Sequence, residues 1–306
     1  MDVGKLVCII RKRNFQFAQA GWLLSFLMNA RVLEWRMTMI RLFTGISLLI
    51  FLCSSTLSAQ VCTRAGLQAA ADGYIAAQKA GNPALLPLDD NAQYFENMKP
   101  SSIEESILQL ALPIALHRSF LDTETCKTFT EAVVTQGEHP YVLGVRLALQ
   151  NGKVTEINAI VTDEGDWEFD AAKHYAASSK EDWGVLPPGQ RVERQKLIDA
   201  ANAYLDMFTF EDIEVPWGIP CAHLEGGKYT GDGPRSTCKI GIPIEGIDIV
   251  DRSYVVDVDA GVVNVFCRFG VTESPRFGKT DGLPDSHTFR LEKGKLRYIH
   301  SLSAVD

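Results

Sequence analysis

The chain repeats itself, and a repeat admits only folds that can be built twice. "LQAAADGYIAAQKAG" (67–81) matches "LIDAANAYLDMFTFE" (197–211), with Leu67/Leu197, Ala71/Ala201 and Tyr74/Tyr204 in register at an offset of 130. Both read as an amphipathic opening helix. "HRSFLDTETCKTFTEAVV" (117–134) matches "DRSYVVDVDAGVVNVFCRF" (251–269), both strand-like. "LALQNGKVTEINAIV" (147–161) matches "FRLEKGKLRYIHSLS" (289–303), and the drift of the offset to 142 implies loop insertions in the second copy. Each copy therefore runs helix, variable middle, long strand, hairpin. The Pro-containing "SSKEDWGVLPPGQRVE" (178–193) is the joint between them. The expected fold class is α+β: two tandem cone-shaped units, 61–180 and 181–306, each with helices packed on a curved antiparallel sheet.

Residues 1–60 stand outside the repeat. "MIRLFTGISLLIFLCSSTLSAQ" (39–60) has the basic start, short apolar run and small-residue end of a secretory signal cleaved near 58–60. Residues 1–36 add a second basic, semi-apolar stretch, so Met37 or Met39 is the better start. The alternative is a two-segment membrane anchor. Without residues 1–59, 23 Lys and Arg face 36 Asp and Glu, a net charge of −13. A secreted chain so acidic is a poor match for nucleic acid or an anionic membrane surface, and any anion it takes must be held by local arginines. Five cysteines remain. In an oxidising compartment we pair Cys62 with Cys126 and Cys221 with Cys238, leaving Cys267 as a buried thiol. No Asn-x-Ser/Thr acceptor is present.

The last hairpin, "SHTFRLEKGKLRYIHSL" (286–302), turns at Lys293-Gly294. Simple pairing about that tip sets Leu291 opposite Leu296, Phe289 opposite Tyr298 and His287 opposite His300, all on one apolar face. Thr288, Arg290, Glu292, Lys295 and Arg297 then face solvent. The same pairing in the first copy puts Val145, Leu147 and Leu149 opposite Val154, Glu156 and Asn158, so the second copy has concentrated the ionisable groups. His287, His300 and Tyr298 are thus the candidate catalytic residues, histidine being suited to proton transfer near neutral pH. A His or Tyr on an apolar face is otherwise simply a satisfied core residue. No third ligand accompanies the two histidines, and no metal site is expected.

Arg118, aligned with Arg252 of the second copy, and its neighbour His117 are candidate substrate-binding residues, since guanidinium holds carboxylates bidentately. The competing reading is an Arg that ties down a loop. "VPWGIPCAHLEGG" (215–227) reads as a rim loop carrying Trp217 and His223 beside a disulfide. "VTDEGDWEF" (161–169) is an acidic turn in which Asp163 or Asp166 could be a base. There is no G-x-S-x-G elbow, no G-x-G-x-x-G and no phosphate loop, and no cofactor is expected.

"CTRAGLQAAADGYIAAQKAG", "HRSFLDTETCKTFTEAVV", "HPYVLGVRL", "IVTDEGDW", "VPWGIPCAHLEGGKYTG" and "LPDSHTFRLEKGKLRYIHSL" together resemble a family of secreted fungal proteins similar to the ketosteroid-isomerase (nuclear-transport-factor-like) cone fold. Related proteins act as dimerising cyclases in fungal pathways to maleidrides. The resemblance implies a cofactor-independent enzyme that joins two maleic-anhydride polyketide monomers through a base-generated enolate. His287 or His300 would be the base, Tyr298 the donor to the enolate, and Arg118 or Arg252 the holder of the anhydride oxygens. It also implies a small-molecule substrate, cooperation with other pathway proteins, and a homodimer or pairing of the two copies. The alternatives are a secreted binding protein for an apolar metabolite and a structural or host-interaction protein with filled cones.

Overall fold

The computed structural model describes residues 62–305 except 211, 232, 240–245, 271, 275–277 and 281, and for 272–274 and 278–280 it describes the backbone alone. The expected leader lies outside the described residues. Helix α1 (Arg64–Ala80) opens the first copy. Thr63 caps it by accepting from Gly66 N, and Gly81 closes it at φ 59°, a conformation that suits glycine. Then come β1 (Leu88–Glu96), β2 (Lys99–Ser101), β3 (Leu116–Asp122), β4 (Lys127–Val134), β5 (Tyr141–Gln150) and β6 (Lys153–Thr162). A connector with helix α2 (Ala171–Ser178) leads to α3 (Arg194–Asp206), the counterpart of α1. The second copy continues with β7 (Trp217–Glu225), β8 (Lys228–Thr230), β9 (Ile249–Asp257) and β10 (Val262–Phe269). A small hairpin, β11 (Thr272–Ser274) and β12 (Gly278–Thr280), is inserted before β13 (Pro284–Glu292) and β14 (Lys295–Ser303).

The two sheets have the same topology: β2-β1-β6-β5-β4-β3 and β8-β7-β14-β13-β10-β9. The fold is α+β, two tandem units of helix on sheet. Each sheet holds one parallel pair, β1 with β6 and β7 with β14, where an antiparallel sheet was expected. One face of each sheet packs under its own helix: Tyr74 and Leu147 belong to the first such core, Tyr204 and Phe289 to the second. The other faces pack against each other through Phe129, Val133, Phe266, Tyr298 and Leu302. Residues Gln60–Asp306 form one compact unit. Among the described residues no helix is long and apolar enough to cross a membrane.

Two reciprocal ion pairs lock the copies together. Arg194, the first residue of α3, grips Asp122 at the end of β3 with contacts of 2.7 and 2.8 Å. Arg64, the first residue of α1, grips Asp257 at the end of β9 with two contacts of 2.8 Å. Each aspartate also accepts a backbone N–H from the other copy, Asp122 from Val256 and Asp257 from Leu121, both at 2.9 Å. Cys62 is bonded to Cys126 and Cys221 to Cys238, and Cys267 is a free, buried thiol.

Candidate active site

Both long hairpins turn through two residues of positive φ, Asn151-Gly152 and Lys293-Gly294, which suits the twist of the flanking strands. The register does not stay simple. Leu291 faces Leu296, but beyond a bulge at Arg297 the partners are Arg290 with Tyr298, Phe289 with Ile299, Thr288 with His300 and His287 with Ser301. One extra residue turns every later side chain to the other face. His287 therefore stays under helix α3, whereas Tyr298 and His300 point to the neighbouring copy. The expected shared face of two histidines does not exist. The face expected to meet solvent is the inter-copy interface, where Thr288 and Arg290 are buried and Arg290 donates to the carbonyls of Gly184 and Ala260. The first copy has the same bulge at Thr155, which places Glu156 and Asn158 on that interface too.

Under helix α3 a polar group of five is enclosed in apolar surroundings. His287 Nδ1 lies 2.5 Å from Asp285 Oδ1, off the line of a hydrogen bond, and both atoms are buried without a hydrogen-bond partner among the described residues. The imidazole is stacked on Phe289 and leans on the Tyr204 ring, with centroids 5.8 and 5.6 Å apart. The Tyr204 hydroxyl is buried without a hydrogen-bond partner. His223 Nε2 is 3.4 Å from Ser301 Oγ. Burial, with the nearby His287 and His300, pushes the His223 imidazole down to about 3, so it is neutral. Burial pushes the Tyr204 hydroxyl and the Cys267 thiol well up, so both keep their protons.

The register shows what is special to the second copy. Asp285, His287 and Cys267 occupy the positions held in the first copy by Leu143, Val145 and Ala132, and His223 takes the place of Tyr94. Two copies with one backbone plan thus differ by a polar group inserted into one core. Asp285 and Tyr204 were not among the sequence candidates. The signal for Asp285 was present, two residues before His287 on the same strand face; Tyr204 read only as a repeated helix residue.

The other candidates gather between the copies. His300 Nδ1 is 2.9 Å from Glu131 and its Nε2 2.6 Å from Glu181. Arg118 lies 3.7 Å from Glu131 and 3.8 Å from Glu181 and stacks over Trp183, which in turn stacks on Tyr298. His174 of α2 directs Nδ1 to the Gly226 carbonyl at 2.5 Å. Burial opposes charge on His300, but Glu131 and Glu181 overcome it and push the imidazole up to about 9. Two carboxylates thus face one imidazolium and one guanidinium in a balanced, buried ion network. Arg118 ties the connector down, donating to Ser178 O at 2.9 Å.

Because the folded His300 pKa lies above the ~6.5 of an unfolded histidine, its contribution is complete below that pH and is lost as pH rises through about 9. Urea unfolding will show stability falling from pH 6.5 to 9 by on the order of 3 kcal/mol, and His300→Gln will flatten that slope. A wild-type curve with no slope in this range would remove the imidazolium from the network.

Other expectations change as well. The counterpart of Arg118 is Ser253, not Arg252, because a bulge with Asp251 at φ 53° shifts β9 by one residue. Arg252 instead bonds Asn202 and Asp206 of α3. His117 is exposed on the helix side of its strand, facing away from Arg118. Trp217 is half-buried and meets Tyr204 edge-on at 6.0 Å, next to the second-copy group. His223 lies inside that core instead of on a rim. Asp163 pairs with His139 at 2.9 Å, and Asp166 accepts from Val305 N, both in a surface turn.

Glu131, His174 and His300, and separately Cys267, Asp285 and His287, each bring three ligand-type atoms within 4.8 Å of one another, so His287 and His300 fall in different groups. Arg118 and the His300 proton already balance the carboxylates of the first set.

A family described as a domain of unknown function (DUF8021) matches residues 190–303. That span is the second copy, the one carrying the polar group. No curated protein matches. Among solved structures, an NTF-2 like protein of unknown function from Burkholderia xenovorans LB400 is 17% identical, covering 33% of this chain and 87% of that one, at a TM-score of 0.26. AclR from Streptomyces galilaeus is 13% identical, covering 46% and 97%, at a TM-score of 0.27.

Proposed function

We propose that the second copy is a cofactor-independent proton-transfer enzyme acting on a small, largely apolar carbon acid. One observation carries the reading: Asp285 sits against Nδ1 of His287 in an apolar core, beside a buried Tyr204 hydroxyl that lacks a hydrogen-bond partner among the described residues. A carboxylate close to one imidazole nitrogen favours the proton there and the imidazolium formed when the other nitrogen acts as a base. A fixed O–H donor in an apolar core stabilises an enolate oxygen as charge develops there. His287 Nε2 takes the proton from carbon. Tyr204, with neutral His223 nearby, donates to the enolate oxygen. The enolate carbon then forms the new bond to an acceptor, and the His287 imidazolium returns the proton.

For the substrate we propose two maleic-anhydride-type polyketide monomers joined carbon to carbon in a dimerising cyclisation. This finer reading rests on the resemblance to the secreted ketosteroid-isomerase-like proteins. The chain is then expected to act in the secretory pathway or outside the cell, as its two disulfides permit. The test is expression in a host that makes the monomer, followed by mass spectrometry. Products of dimer mass that disappear with His287→Ala support the cyclase. Tight, reversible monomer binding without new products would instead support a carrier.

A further inference from the structure

The interface between the copies has two equivalent crevices, and they are filled differently. In one, Arg118, Glu131, Tyr298 and His300 meet the connector residues His174, Glu181 and Trp183. The register assigns Ser253, Phe266, Glu156 and Asn158 to the corresponding positions of the other. There the smaller Ser253 and Asn158 replace arginine and histidine, and among the described residues no connector enters. A cavity of about 290 Å³ results, close to the lower end of the sizes usual for small-molecule sites.

Its lining is chemically sided. Arg146 is buried there, with no carboxylate partner among the described residues. It gives four N–H bonds to neutral groups of the other copy: Nε to Asn264 Oδ1 at 2.7 Å, Nη1 to Ser253 Oγ at 2.8 Å, and Nη2 to the carbonyls of Ser253 and Asn264 at 3.1 and 2.8 Å. The fifth N–H, on Nη1, is unassigned. Burial pulls this guanidinium down to about 9, so it remains charged at neutral pH; it lies 3.9 Å over the Phe266 ring centroid and pairs directly with no carboxylate among the described residues. Lys127 lines the same cavity, and its ammonium also lacks a carboxylate partner among the described residues. Met98 and Phe266 supply the apolar wall. Glu156 is the one acid in the lining, held by Asn158 Nδ2 at 2.6 Å.

We propose that this cavity is a binding site for a small monocarboxylate with an apolar body, its carboxylate meeting Arg146 and Lys127 and its body lying on Met98 and Phe266. The ligand would supply the missing counter-charge, and Glu156 disfavours a second negative group. The site is separate from the group around His287 and does not depend on its chemistry.

The test uses the purified full chain with benzoate and hexanoate, and with benzamide and hexanamide as neutral isosteres, read by saturation-transfer NMR and calorimetry. The acids should bind at least about tenfold more tightly than the amides. Lys127→Gln, at a half-exposed site, should weaken the acids about threefold. Asn158→Phe should fill the cavity and abolish binding in protein whose near-ultraviolet circular dichroism is unchanged. His287→Ala should leave binding as it is. No acid binding up to ~10 mM, equal binding of acid and amide, or acid binding that survives Asn158→Phe would each overturn the proposal.

Discussion

Arg194→Ala lowers the unfolding free energy by about 3–5 kcal/mol, the cost of stranding a buried carboxylate without its partner. Asp122 has a fully buried side chain, and Arg194 supplies both arms of its fork. What remains after the substitution is a charge held by backbone N–H groups and the Thr125 hydroxyl. Because Arg194 begins the helix of one copy and Asp122 ends a strand of the other, the loss should appear as one cooperative transition of the whole molecule. Urea unfolding monitored by fluorescence and by circular dichroism should give coincident curves with a lower midpoint. A loss below about 1 kcal/mol would put this pair in the class of solvated surface bridges. The acid limb gives an independent check. The Arg194 guanidinium and the backbone N–H groups outweigh the cost of burial and hold the Asp122 carboxyl below its usual range. Its contribution is present above about pH 4, where the unfolded carboxyl is ionised, and is lost as pH falls through the folded value. Arg194→Ala should therefore remove part of the wild-type acid sensitivity.

His287→Ala reduces turnover about 10²–10⁴-fold, the usual worth of a positioned general base. Tyr204→Phe reduces it about 10²–10³-fold, the scale of losing one donor to a developing oxyanion. The tyrosine variant is the sharper probe. Its hydroxyl has no hydrogen-bond partner among the described residues, so removal leaves stability unchanged or slightly higher, and a lost rate cannot be blamed on unfolding. His300→Ala should do the reverse, costing stability while leaving the rate in the remaining folded protein within about threefold, because it touches the ion network and not the reacting group. Conversion of monomer to dimer-mass product, measured on folded variants, separates these cases. If His287→Ala and Tyr204→Phe both retain wild-type rates, the group under helix α3 is core packing with no part in chemistry.

The sequence by itself determined the architecture at the level of repeats. Helix periodicity, two hairpins with matching two-residue turns, and aligned Leu, Ala and Tyr positions sufficed to read two α+β units, because these signals are local and occur twice. His287 was legible as a functional candidate for the same reason: its first-copy counterpart is a valine. Only the tertiary structure decided which face each later residue takes. A single bulged residue, Arg297, leaves no mark in the alternation of a short strand, yet it moves Tyr298 and His300 from the helix side to the interface, and the bulge near Asp251 likewise changes the second-copy counterpart of Arg118 from Arg252 to Ser253. Tertiary structure also decided which charges meet. Glu131, Glu181, Arg118 and His300, like Arg194 and Asp122, are far apart along the chain and come together only when two sheets pack face to face. Strand alternation carries one bit per residue, and a one-residue bulge inverts it; charge pairing across an interface carries no local pattern at all.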